Sequence, residues 1–281
     1  MKSNQLRTLI AAGKPIVAPG VFDGLSARLV DLAGFQAIYA SGGAIARAAG
    51  LPDLGILTLN EVAERIEKIV DATTRPVIAD ADTGFGGTAN VYRTVRLFER
   101  IGVAALHLED QQFPKRCGHL DGKSLVTADE MCLKLKVARD ALGDDVVLIA
   151  RTDAIAVEDF DAALYRARRY REAGADMIFV EAPESVEQIA RIAREVPGPK
   201  LINMFHGGKT PLVPLAQLAA LGYAIVIIPS DLQRAAIRAM QRVLSAIHQT
   251  GDSSAIAAEL ASFHEREVIV GTKRVLALDR R

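Results

Sequence analysis

The sequence predicts a (β/α)8 barrel of the TIM type, on two observations. Eight short apolar runs recur along the chain, none alternating with polar residues, as parallel strands buried on both faces require. Between them lie longer amphipathic stretches, several ending in the glycine that a helix C-terminus prefers: Gly34, Gly102, Gly174 and Gly222. Eight such units packed into about 215 residues favour a closed barrel over an open doubly wound sheet.

In chain order, the first run is PIVAPG (15–20), followed by the helical pattern DGLSARLVDLAG. The second run, AIYASG (37–42), ends in Tyr39, Ser41, Gly42 and Gly43. The third, PVIADAD (76–82), ends in Asp80 and Asp82 and precedes VYRTVRLFERIG. The fourth, AALHLED (104–110), ends in Glu109-Asp110 and gives way to about sixteen residues of loop before a helix from about Thr127 to Ala141. That is long for a βα connection, and long loops of this kind are often active-site lids. The fifth run, VVLIARTD (146–153), carries Arg151 and leads to FDAALYRARRYREAG. The sixth, MIFVEAP (177–183), carries Glu181 and leads to SVEQIARIAREV. The seventh, LINMF (201–205), carries Asn203, and the eighth, AIVIIPS (224–230), ends in Pro229-Ser230. Beyond it two helical patterns, LQRAAIRAMQRVLSAIHQTG and SAIAAELASFHERE, have no further strand to cover. They read as an extension (about 231–281) of one domain spanning 1–281, capping the barrel or swapped with a neighbouring subunit.

The composition narrows the function. Half of the 281 residues are apolar, and Lys+Arg balance Asp+Glu at 34 each. No charge excess steers the chain toward nucleic acid or an anionic membrane, and no apolar run reaches the length of a span. Two cysteines with no disulfide framework and no signal peptide suggest a cytoplasmic protein. TGFGG (83–87) and GGKT (207–210) lack the spacing of a nucleotide-binding loop.

In a barrel, catalytic groups sit at the C-terminal ends of the strands. Asp80, Asp82, Glu109 and Glu181 would therefore meet at one mouth, where like charges require a cation. Asp80 and Asp82 share strand parity, which places both side chains on one side. An all-oxygen acidic set suits Mg2+ or Mn2+ rather than Zn2+. Arg151 and Lys115-Arg116 add positive charge for a small anionic substrate, an oxygen-rich carboxylate chelating the metal. In the long loop, PKRCGH flanks Cys117 with basic residues, which predicts a partly exposed thiol of lowered pKa. It would act as a nucleophile or as a general acid. A metal-chelated 2-hydroxy acid favours the second, with the thiol protonating an enediolate after C–C cleavage. Cys132, in a helical pattern, reads as a packing residue.

YASGG, LPDLG, DADTGFG, HLEDQ, KRCGH, ARTDA and VEAP, in this order, resemble the isocitrate lyase/phosphoenolpyruvate mutase superfamily, and KRCGH its lyase branch, the 2-methylisocitrate lyases above all. The resemblance implies that Ser41, Gly42 and Gly43 bind a substrate carboxylate and that Asp53 lies near the metal held by Asp80, Asp82 and Glu109. Cys117 would be the acid on a gating loop shaped by Lys115, Gly118 and His119. Arg151 would stabilise substrate charge, Glu181 order the polar network, Asn203 contact a carboxylate, and Tyr39 take the hydroxyl proton. It also implies a homotetramer that exchanges C-terminal helices. Two positions bear on the substrate. His206 stands where relatives usually have Glu, and Arg234 stands where tricarboxylate-cleaving relatives have Arg. The expected reaction is Mg2+-dependent cleavage of a 2-hydroxy di- or tricarboxylate, 2-methylisocitrate preferred, to pyruvate and succinate. 2,3-Dimethylmalate cleavage, oxaloacetate decarboxylation or hydrolysis, phosphonate P–C chemistry and a non-catalytic metabolite-binding barrel are the alternatives.

Overall fold

In the computed structural model, which describes residues 2–143 and 146–280, eight parallel strands close in sequential order, β1 against β8. The strands are β1 (Ile16–Val21), β2 (Ile38–Ala40), β3 (Val77–Asp80), β4 (Ala105–Glu109), β5 (Val147–Thr152), β6 (Met177–Val180), β7 (Lys200–Asn203) and β8 (Tyr223–Ile228). Helix α1 (Lys2–Ala11) precedes the barrel. Around it run α2 (Gly24–Leu32), α3 (Gly42–Ala48), α4 (Leu59–Asp71), α5 (Thr88–Ile101), α6 (Ala128–Leu142), α7 (Phe160–Glu172), α8 (Val186–Glu195) and α9 (Leu215–Ala220). The tail holds α10 (Asp231–Thr250), α11 (Phe263–Val270) and α12 (Thr272–Leu276).

Each predicted strand lies within a few residues of its run, and Gly34, Gly102, Gly174 and Gly222 all adopt the left-handed conformation expected at helix ends. One tail element differs from expectation. SAIAAELASFHERE is not a single helix: a 3-10 stretch over Ser254–Glu259 stops, and α11 begins anew. The break is at Ser262, whose hydroxyl accepts from the Glu265 N–H while the Glu265 carboxylate reaches back to the Ser262 N–H. This reciprocal cap satisfies donors that a continuous helix would bond internally.

Strand residues alternate between two cores. Outward side chains such as Val77, Leu106, Leu148 and Ile178 pack beneath the helices. Inward ones, including Ile16, Ala18, Ile78, Ala105, Ile149, Met177, Leu201 and Ile225, fill the barrel. Leu6, Leu9 and Ile10 of α1 join this inner core and plug its N-terminal end. The inner core thus leaves the opposite, C-terminal end open for chemistry.

Candidate active site

The inward parity that fills the barrel with Ile78, Ala105, Ile149, Phe179 and Leu201 continues to Asp80, His107 and Glu109, Arg151, Glu181 and Asn203 at its C-terminal end. Asp82 arrives differently. Strand β3 ends at Asp80, and Asp82 lies in the turn that follows, at a left-handed φ of 46°. Its N–H donates to Asp80 Oδ1 at 3.0 Å. The turn, not strand parity, therefore brings the two carboxylates together. Aspartate tolerates this conformation better than most residues, and such positions concentrate at functional sites.

Asp80, Asp82 and Glu109 are buried, and their ligand atoms lie within 4.8 Å of one another. Neither oxygen of Glu109 has a hydrogen-bond partner among the described residues; Arg151 Nη1, 3.3 Å from Oε2, is close but not aligned. A fully buried carboxylate left so lacks something that would satisfy it. Burial pushes Glu109 well above the usual carboxylate range against the pull of Arg151 and Lys115. Burial likewise lifts Asp82 to about 6, with Lys115 opposing and Asp80 and Asp53 adding to the rise. Asp80 goes the other way: burial works to raise it, but His107, Lys115 and Arg151 outweigh burial and hold it at about 2. Two protonation-prone oxygen ligands beside an ionised one, all hard donors, fit a divalent cation such as Mg2+.

Cations surround this cluster. Lys115, buried, bridges Asp53 Oδ1 at 2.5 Å and Asp82 Oδ1 at 2.7 Å. Arg151 clamps Asp153 through Nε at 2.9 Å and Nη2 at 3.1 Å, and reaches Glu181 at 3.4 Å. Arg151, with His119, outweighs burial to hold Glu181 at about 2. His119 Nδ1 accepts from the Lys209 N–H at 3.2 Å, which leaves Nε2 to carry the proton toward Glu181 Oε1 at 3.3 Å. Tyr39 OH lies 2.9 Å from His107 Nε2 and 3.3 Å from Asp80 Oδ2.

The loop between β4 and α6 is folded onto this mouth. Its two roots pair: Gln111 bridges Leu125, and the Val126 N–H donates to the Asp110 carbonyl. Its middle is held by Lys115, by the Cys117 N–H donating to the Asp53 carbonyl, and by Lys123, which bonds the Gly118 carbonyl and pairs with Asp153 at 3.1 Å. Gly118 lies so close to the floor that a Cβ there would stand 2.4 Å from Arg151 Nη2 and 2.7 Å from Glu181 Cγ. Only glycine allows this approach.

Cys117 is partly exposed and lines the cavity, as the loop sequence suggested. Its thiol is not lowered. Burial pushes it up, and Asp53 adds to the rise. The expected cations are spent elsewhere: Lys115 on Asp53 and Asp82, Arg116 on the Asp121 carbonyl. Cys132 is buried in the outer core. Burial, then Asp80, pushes the Tyr39 phenol well above the ordinary range, so Tyr39 could take a hydroxyl proton only by passing its own on.

The cavity brings together Tyr39, Ser41, Gly43, Asp53, Asp80, Lys115, Cys117, Gly118, His119, Arg151, Glu181 and Asn203. Gly42 packs beneath it, its N–H donating to Asp80 Oδ2 at 3.2 Å. Two expected substrate contacts lie outside. His206 is exposed on the loop after β7, and its carbonyl accepts from Arg234. Arg234 is itself exposed and paired with Asp231 at 3.3 Å. Sequence reasoning missed Arg47, Phe179 and Phe205, which line the cavity, and His107 and Lys123, which brace it. Asp153, part of the polar end of the fifth run but given no role there, braces it as well. His107 had a signal: it is two residues from Glu109, hence on its face. Lys123 and Phe205 lie in loops and had none.

The sequence matches the phosphoenolpyruvate phosphomutase family over residues 6–248. It is 42% identical to 2,3-dimethylmalate lyase of Eubacterium barkeri, over 96% of this chain and 94% of that one. It is 44% identical to 2-methylisocitrate lyase of Aeropyrum pernix, over 95% and 86%. Among solved structures, a phosphonopyruvate hydrolase complexed with oxalate and Mg2+ superposes with a TM-score of 0.91 at 31% identity, covering 100% of this chain and 99% of that one. The chain belongs to the isocitrate lyase/phosphoenolpyruvate mutase superfamily.

Proposed function

We propose that this carbon–carbon lyase cleaves a 2-hydroxy di- or tricarboxylate in a retro-aldol sense, 2-methylisocitrate being preferred, to pyruvate and succinate. One observation carries the reading: a thiol that burial keeps protonated shares a cavity with Asp80, the cavity-lining edge of a buried carboxylate cluster in which neither oxygen of Glu109 has a hydrogen-bond partner among the described residues. A neutral thiol is a poor nucleophile and a competent proton donor.

Asp80, Asp82 and Glu109 would hold Mg2+, with Mn2+ as a substitute, and Asp53 would act from behind through Lys115. Once bound, the cation supplies Lewis-acid stabilisation of negative charge developing on substrate oxygens. The chain's own groups do the rest. Ser41, Gly42 and Gly43 receive a carboxylate, and Asn203 another. The substrate hydroxyl would give its proton toward Tyr39, which would pass its own to His107, whose Nε2 lies 2.9 Å from the Tyr39 hydroxyl oxygen. The bond between the hydroxyl-bearing carbon and its neighbour breaks. The alkoxide becomes the ketone of the departing 2-oxo acid, and the electron pair enters the remaining carboxylate as an enediolate. Arg151 lies against that charge, and Cys117 delivers the proton that completes the second product. Nothing is oxidised or reduced. His119, ordered by Glu181 and Lys209, and Gly118 fix the loop that carries the thiol.

The test is turnover of 2-methylisocitrate, 2,3-dimethylmalate, oxaloacetate and phosphonopyruvate, with Mg2+ and with EDTA, following pyruvate release. Metal-dependent pyruvate from the first or second supports the lyase reading. Turnover of only the last two, or of none, overturns it. We also infer a cytoplasmic homo-oligomer, a tetramer joined through the tail. The support for the oligomer is apolar surface along the tail, with Met240, Leu244, Phe263 and Val268 all exposed. Light scattering reporting a monomer would remove the oligomer.

A further inference from the structure

We infer that Arg47 is the specificity-determining cation for a third carboxylate, and that the substrate is therefore a tricarboxylate. The inference rests on the lyase reading for which bond breaks, but not for which anion binds. Four cationic or titratable basic side chains line the cavity: Arg47, Lys115, His119 and Arg151. Three are committed to protein carboxylates. Lys115 pairs with Asp53 and Asp82, Arg151 with Glu109, Asp153 and Glu181, and His119 with Glu181. Arg47 is exposed, lines both this cavity and an outer groove with Leu29 and Met240, and has no hydrogen bond or ion pair among the described residues.

Its place is set by α3, which is capped by Ser41, begins at Gly42 and carries Arg47 one turn beyond Gly43. The guanidinium Nη1 lies 3.1 Å from where a Gly43 side-chain carbon would stand, with Asp53 Oδ2 at 2.7 Å from the same point. Asp53 does not consume this charge, because its other oxygen is taken by Lys115 and no Arg47–Asp53 ion pair forms. The absence of a side chain at Gly43 keeps this space beside the guanidinium clear. An anion reaching past the metal cluster meets one unspent, fork-shaped donor there, suited to a carboxylate. Arg234, the arginine that sequence resemblance singled out for this task, is engaged by Asp231 and the His206 carbonyl and does not line the cavity.

The experiment compares wild type with Arg47→Met and Arg234→Met in two assays. The first is the kcat/KM ratio for 2-methylisocitrate over 2,3-dimethylmalate, which lacks the distal carboxylate. The second, independent of turnover, is affinity for tricarballylate and for glutarate with Mg2+ present. Arg47→Met should lower both the ratio and tricarballylate affinity by roughly 10- to 100-fold, the worth of a charge-assisted hydrogen bond, with glutarate binding retained. Unchanged tricarballylate affinity in Arg47→Met, no tricarballylate binding by wild type, or a collapse of selectivity in Arg234→Met instead would each overturn the assignment. Failure of every substrate to give pyruvate, with tricarballylate binding still dependent on Arg47, would sink the lyase reading and leave this one standing.

Discussion

At the scale of single residues, the proposed chemistry rests on Cys117 and on the glycine beside it. A thiol held neutral should support catalysis until the solution strips its proton. The alkaline limb of kcat/KM should therefore fall above the ordinary thiol range, since burial and Asp53 move the group upward. A limb below that range would refute an acid role. Cys117→Ser should lower kcat by about 100-fold or more, the usual worth of general acid catalysis, without shifting Tm. Gly118→Ala should cost about 100-fold in kcat/KM, because a Cβ 2.4 Å from Arg151 Nη2 forces the loop off its seat. Retention of full activity would mean that the loop need not sit this close. The sequence showed Cys117, Asp80, Glu109, Arg151 and Glu181 because strand-end position and chemical type are local properties. It misjudged the thiol's pKa because neighbours in sequence are not neighbours in space. Lys115 and Arg116 flank Cys117 along the chain, yet both cations point elsewhere.

At the scale of elements, the gating loop is pinned at both roots and latched in the middle. The latch is Lys123 against Asp153, a buried pair whose carboxylate also clamps Arg151. Closing the loop and orienting the arginine are thus one event. Lys123→Met should free the loop, raise the rate at which iodoacetamide labels Cys117, and lower kcat/KM. Peptide mapping separates that label from Cys132. Labelling no faster than in wild type would show that Lys123 does not hold the gate. The elements themselves were legible because inward and outward strand faces are both apolar here, leaving unbroken hydrophobic runs. The tail was less so. Ser262 and Glu265 sit inside a helix-like pattern, and their reciprocal capping competes with the helix that the pattern alone suggests.

At the scale of the whole molecule, metal, proton and fold are linked. Without metal, Asp82 titrates at about 6 and Glu109 lies well above the usual carboxylate range, both raised by burial. Asp82 thus favours the metal-free fold fully below its unfolded pKa and loses that contribution as pH rises through about 6. Mg2+ must displace these protons, so its stabilisation should run the opposite way. The rise in Tm on adding Mg2+ to EDTA-treated protein should be larger at pH 7.5 than at pH 5. Equal rises at both would argue against carboxylate ligation. The barrel also has a floor. Leu6, Leu9 and Ile10 close its N-terminal end and the latched loop lies over the other, so in the proposed reaction that loop would be the door of the chamber. Two products made in that chamber must leave one after the other through the opening by which the substrate came in. The exit is a queue, and the pace of the door sets an upper bound on turnover however fast the bond breaks.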